Sequence, residues 1–166
     1  MFSVKKIKGF LIDNRHRIRF ALFIAYCLFI IYYTLLCREV GNEHTADLRF
    51  MWAYREMLTG HPEWKEDVVY NLKNILFFIP FGFLFPEKDI MPTLFKNRRW
   101  MLILCAGILF SIFVELAQYT FCLGLCELDD VICNGLGAVI GCGLCRCLIL
   151  LLLKYKGKTD MKELDV

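Results

Sequence analysis

The residues best suited to chemistry are one carboxylate and several amides set inside long apolar runs. Glu115 is the only charged residue between Trp100 and Cys126. Gln118 follows it by three positions and Asn134 follows Asp130 by four, so each pair shares one helix face. Asn74 heads a further apolar stretch, "NILFFIPFGFLFP". An ionisable residue inside a membrane is costly and is read first as functional. Three chemistries suit this set. Glu115 could anchor a bound molecule with Asn74 and Asn134 as hydrogen-bonding partners and Asp130 as a rim carboxylate or helix cap. Glu115 and Asp130 could form a general acid–base pair on a lipid-linked substrate. Glu115 could relay protons in a small transporter. A structural hydrogen-bond network between helices is the plainer alternative. No catalytic residue is assigned, Glu115 and Asp130 being the candidates; the sequence offers no Ser/His nucleophile set in an apolar run and no phosphate-binding loop.

The elements that must position these residues are membrane helices. Of 166 residues, 58% are hydrophobic and 15% aromatic, above the roughly 45–50% apolar usage of soluble domains. Charges cluster between uncharged runs, giving an all-α, polytopic bundle of four transmembrane helices. The spans are Phe20–Cys37, Val68–Pro86, Trp100 to about Cys126, and Val131–Leu153. The second has the shortest uncharged run, so a re-entrant hairpin is its alternative. Residues 1–19 form a basic cytoplasmic or interfacial segment, 20–153 the membrane domain and 154–166 a basic tail. Val4, Ile7, Leu11 and Ile18 suggest a short surface helix in the first segment, with a basic flank without structure as the alternative.

Lysine and arginine set the orientation. They crowd the N-terminal segment, the loop holding Lys88, Lys96, Arg98 and Arg99, and the tail, whereas the "ELDD" turn has acids alone. Both termini are therefore expected in the cytoplasm. With that orientation Asn74 stands about 18 Å above Pro86, and Glu115 and Gln118 about 22 and 27 Å above Trp100. Asp130 and Asn134 begin the fourth span, so all five polar residues fall in the outer part of a hydrocarbon core of about 30 Å. The basic residues are accounted for by topology, and nothing resembles a nucleic-acid module.

Pro80, Gly82 and Pro86 lie below Asn74, where a kink would part the cytoplasmic half of the span from its neighbours or steer Asn74 inward. Gly137 and Gly141 form a small-xxx-small face that admits close helix approach. The nine cysteines read as small packing residues, since the three histidines lie in flanks or loops, away from the "CGLCRC" cluster. No metal and no cofactor is expected. Cys122 and Cys126 lie near the expected outer face and could pair, which stays open.

"NILFFIPFGFLFP", "VELAQ" and "LDDVICNGLGAVIG", in that order, resemble the VanZ-like family of bacterial membrane proteins over about residues 20–153. The resemblance implies a four-helix integral membrane protein. The family's namesake is associated with low-level teicoplanin resistance. The family's motif residues fall on Asn74, Pro80, Gly82, Pro86, Glu115, Gln118, Asp130, Asn134, Gly137 and Gly141. Many members carry an arginine shortly before the paired acids, where this chain reads "LGLCELDD"; many have threonine where Gly135 stands. The resemblance implies a role in the bacterial cytoplasmic membrane, altering glycopeptide susceptibility. Expected partners are the lipid bilayer and an amphiphilic antibiotic or lipid-linked cell-wall precursor, with self-association left open. Asn74, Glu115, Gln118, Asp130 and Asn134 are the expected ligand-binding residues.

The orientation is directly testable. Reporter fusions after residues 45 and 128 should signal outside, and fusions after residue 92 and at the C-terminus inside. An inside signal at residue 128 would remove the outer-leaflet site.

Overall fold

Long apolar runs in lipid satisfy their backbone groups within themselves only as helices, and this chain forms four such helices. A computed structural model describes residues 14–60, 62, 64–86 and 98–164. Helix α1, Arg15–Ile31, runs on into a π-helical turn, Tyr32–Leu36. A short strand β1, Thr45–Asp47, and an eight-residue helix α2, Trp52–Thr59, fill the first loop. Helix α3 spans Trp64–Leu84 and α4 Arg99–Thr120. Strand β2, Leu125–Glu127, leads directly into α5, Leu128–Leu164. Helices α3 and α4, α1 with its π-helical extension, and the Leu128–Tyr155 part of α5 are each long and apolar enough to cross a membrane. The shortest run is thus a full helix rather than a re-entrant hairpin; its 21 residues rise about 31 Å. The expected N-terminal surface helix falls largely on residues 1–13, outside the described residues.

The helices alternate in direction. One end of the bundle gathers Arg19 and Arg99, the other Asp129 and Asp130; they are called here the basic and acidic ends. Helix α3 ends at the basic end with carbonyls that its own turn leaves without partners. Arg19 from α1 donates to the Phe83 and Leu84 carbonyls at 2.6 and 3.2 Å. Arg99 from α4 donates to the Phe85 and Pro86 carbonyls at 2.9 and 3.3 Å. Cations suit this negative helix terminus. Pro86 stands beyond the last helical residue, so it follows the helix stop and makes no kink within the span.

The core forms where three backbones converge. Ala138 of α5 is fully buried, and Gly82 of α3 and Gly107 of α4 face it. A methyl on Gly82 would collide with the Ala138 carbonyl, and one on Gly107 would come within 2.9 Å of the Ala138 Cβ. On the same side of α5, Gly137 abuts the Ile75 carbonyl, and Gly141 abuts the Ile79 carbonyl. The small-residue face of α5 therefore packs on the turns either side of Pro80. Helix α3 continues through Pro80, and its basic-end half touches α5 at Gly82 instead of parting from it. Phenylalanines fill the remaining space: Phe81 meets Phe23 of α1 at 5.0 Å and stacks on Phe110 of α4 at 5.6 Å between centroids. In lipid no water is expelled between helices, so such close packing supplies the association energy.

Two neighbouring glycines of α5 separate packing from propensity. Gly141→Ala should destabilise the bundle by about 1–3 kcal/mol, because backbone must move to admit the methyl. Gly143 has nothing within 4 Å of its would-be Cβ, so Gly143→Ala should be neutral or slightly stabilising. Thermal unfolding of both variants in detergent checks this; equal behaviour would refute the backbone contact.

Candidate functional site

The acidic end is closed by elements that apolar patterning does not reveal. Strands β1 and β2 pair in parallel, with Thr45 opposite Leu125, Ala46 opposite Cys126 and Asp47 opposite Glu127. This fastens the first loop to the α4–α5 connection. The Gly41 N–H donates to the Cys122 carbonyl at 2.7 Å, and a ring nitrogen of His44 lies 2.7 Å from the Tyr119 carbonyl. Cys122 and Cys126 are both free thiols. The loop thus lies over the ends of α4 and α5 as a polar cap.

Beneath the cap lie the polar residues singled out in the sequence. Glu115, Gln118, Asp130 and Asn134 are each at most 7% exposed, and Asn74 is half-buried. Asn74 Nδ2 donates to Asp130 Oδ1 at 2.5 Å, joining α3 to the first turn of α5. Glu115 Oε2 accepts the Glu127 backbone N–H at 3.0 Å, so α4 holds the residue from which α5 starts. Asn134 Nδ2 donates to Ser111 Oγ at 2.8 Å, one turn deeper between α5 and α4. Gln118 Nε2 donates to the Thr34 carbonyl at 3.2 Å, reaching the π-helical turn after α1. Asp129 Oδ1 accepts the Met51 N–H at 2.6 Å and fixes the start of α2. Acids in the first turn of α5 also face the positive end of its dipole.

The five residues therefore gather at one end but do not converge on Glu115. Asn74 and Asn134, expected as its partners, bond Asp130 and Ser111 instead. Asp130, expected as a rim carboxylate or helix cap, is buried in the first turn of α5. The reason is the helix start: Glu115 stands level with β2, where a backbone N–H is the available donor, and Asn74 stands level with the first turn of α5.

Several residues of the site escaped the sequence reading. Ser111 precedes Glu115 by four positions and Gln118 by seven, a polar stripe at helical spacing. Arg38, just beyond the first span, lies within electrostatic reach of both Glu115 and Asp130 and faces the Tyr70 hydroxyl. Its guanidinium donates to the Leu123 carbonyl at 3.4 Å, so a basic group stands near the acids from the far end of the first helix without bonding them. Nothing in local sequence marks that approach. Asn71, one turn before Asn74, is 4% exposed, and its Nδ2 has no hydrogen-bond partner. Asp129 Oδ2 and Asn134 Oδ1 likewise lack partners.

Above the buried residues opens a cleft of about 350 Å³, lined by Trp52, Glu66, Asp67, Tyr70, Asn71, Leu125 and Glu127. Burial pushes the Glu127 carboxyl above the ordinary carboxylate range; Asp47 adds to this, and the Trp52 side chain opposes it. The hydrogen bond from Arg49 holds Asp47 below that range. Among the described residues no group of three or more His, Cys, Asp or Glu is placed to hold a metal ion. The arrangement can do two things: fasten helix ends through buried amide–carboxyl bonds, and present carboxylates and aromatic rings in an open cleft.

The Asn74–Asp130 bond sets a clear expectation. Asn74→Leu leaves a buried carboxyl short of its donor and should cost about 1–3 kcal/mol. Asp130→Asn keeps an acceptor oxygen and should cost less. Thermal unfolding in detergent compares them; an unchanged midpoint for Asn74→Leu would show that the bond adds no net stability.

Comparison with curated proteins and with solved structures gives no match. The family model described as VanZ/LLP1 matches residues 23–152, well over half of the chain. The matched stretch begins in α1 and ends in α5, so it contains all four membrane-crossing helices and every residue of the polar end. By that match the chain belongs to the VanZ/LLP1 family.

Proposed function

We propose that this chain is a protein of the bacterial cytoplasmic membrane that alters susceptibility to glycopeptide and lipoglycopeptide antibiotics. It does so by recognising an amphiphilic or lipid-linked molecule at a polar site in the outer leaflet. The orientation rests on the lysine and arginine distribution, which puts both termini in the cytoplasm and the acidic end outside. The observation that carries the reading is the concentration of buried polar side chains at the end of the bundle where a cleft opens, with Asn71, whose amide nitrogen has no partner, in the cleft wall. A buried polar atom without a partner costs about 1–3 kcal/mol. An unpartnered donor on a residue of the cleft wall adds nothing to a structural clasp, whereas a recognition site completes it with its ligand. Asn74 and Asp130, Glu115, Gln118 and Asn134 form the wall that holds the site in shape.

A second reading is favoured by one observation: the Glu115 and Asp130 carboxyls lie within electrostatic reach of each other. Paired acids of this kind suit acid–base catalysis on a lipid-linked substrate, or proton relay. One residue separates the readings. Glu115→Gln keeps an oxygen to accept the Glu127 N–H, so under the recognition reading stability and phenotype stay near wild type. Loss of phenotype with an intact bundle would transfer the site to proton chemistry. Glu115→Leu should lose both, at a cost of about 1–3 kcal/mol. The measurement is teicoplanin susceptibility of a strain expressing each variant, beside thermal unfolding of the purified protein. Unaltered susceptibility with wild-type chain would overturn the resistance role.

A further inference from the structure

We propose that the cleft over the acidic end binds a primary ammonium group with a hydrogen-bond acceptor beside it, as in an amino alcohol or amino sugar headgroup. The inference rests on reading this end of the bundle as a recognition site, and it names the chemistry recognised. The cleft wall carries three carboxylates, Glu66, Asp67 and Glu127, and two aromatic rings, Trp52 and Tyr70. Among the described residues no lysine or arginine is part of its lining, while Arg49 stands over the Trp52 ring and Arg38 beside the Tyr70 hydroxyl. Carboxylates beside aromatic faces attract cations by charge and by ring quadrupole together. The same three acids repel a phosphate or carboxylate headgroup.

Two further observations point to a ligand. First, the Trp52 ring already accepts a cation: the Arg49 guanidinium lies 4.7 Å from its centroid. Arg49 is placed there by its ion pair with Asp47 and lies within electrostatic reach of Glu127, so the ring and the acids act on the same kind of charge. Glu127 is held in a partly desolvated, acid-rich setting with Asp47, Asp129 and Asp67 as neighbours; the Trp52 side chain and Arg49 offset part of that repulsion, and a bound cation would offset more. Second, Asn71 forms part of the cleft, is 4% exposed, and carries an amide nitrogen with no partner. Turned towards the cleft, that amide would donate to a ligand oxygen next to the ammonium. The volume of about 350 Å³ lies within the size range of small-molecule pockets.

The probe pair is 1-amino-2-decanol and 1,2-decanediol, which differ in the amine alone, titrated into full-length protein in maltoside micelles. Wild type should bind the amino alcohol about tenfold or more tightly than the diol. Glu66→Gln with Glu127→Gln should abolish the preference, whereas Glu39→Gln with Glu43→Gln, the same change in charge placed outside this cleft, should keep it. Asn71→Leu should weaken amino-alcohol binding about tenfold without lowering the unfolding temperature, since it removes an amide that has no partner. Equal binding of the two probes, or a preference that survives the Glu66/Glu127 double variant, would overturn the proposal. Nanodiscs distinguish the source. A higher unfolding temperature in phosphatidylethanolamine than in phosphatidylglycerol, lost in the cleft double variant, assigns the ammonium to a lipid headgroup; amino-alcohol binding without that difference assigns it to another amphiphile. Amine binding without any teicoplanin phenotype retires the resistance role alone, and a phenotype without amine binding retires this inference alone.

Discussion

The structure depends on how closely α5 can approach its neighbours. Lipid gives helices no solvent-driven reason to associate, so contact must come from packing and from polar bonds between them. At Ala138 the helix surfaces on either side are glycines, Gly82 and Gly107, and backbone meets backbone. Gly137 and Gly141 extend the contact along α3 towards and beyond Pro80. A side chain at any of these four positions would hold the helices apart. The apolar phenylalanines then complete a core whose geometry the small residues have already set.

That approach fixes the level of everything at the helix ends. With α3 and α5 in backbone contact, Asn74 comes opposite Asp130, and the interval from Gly107 to Glu115 along α4 brings Glu115 level with the start of α5. A polar bond in a low-dielectric setting rewards good geometry and penalises misplacement. Small residues near mid-bundle and polar residues at the acidic end are therefore parts of one arrangement. The basic end follows the same logic with opposite charge: Arg19 and Arg99 close the carbonyls of α3. Two of the basic residues on which the proposed orientation rests thus also satisfy helix termini.

The cap over the acidic end turns a set of helix fasteners into a site. Its parallel strand pair brings Glu127 and Trp52 beside Glu66, Tyr70 and Asn71 of α3. The first loop contributes the Trp52 ring and β2 the Glu127 carboxylate; α3 contributes Glu66, Asp67, the Tyr70 ring and the Asn71 amide. Membership of the VanZ/LLP1 family covers both contributions, since the match runs through the loop as well as the spans.

The sequence by itself determined the four spans, because in lipid an uncharged run of sufficient length has one way to satisfy its backbone. It also determined which faces carry Glu115 with Gln118 and Asp130 with Asn134, since helical spacing is local. The glycine face of α5 was legible for the same reason. Which groups bond each other was not legible. Asn74 pairs with Asp130 and not Glu115, Asn134 finds Ser111, and Arg38 approaches the acids from the far end of α1, because partner choice depends on the relative height of separate helices. Helix height is set by the backbone contacts at Ala138, and no spacing within a single helix encodes it. The strand pair between Thr45–Asp47 and Leu125–Glu127 lay equally out of reach: three residues carry no usable periodicity, and their pairing follows once α4 and α5 have brought the two loops together.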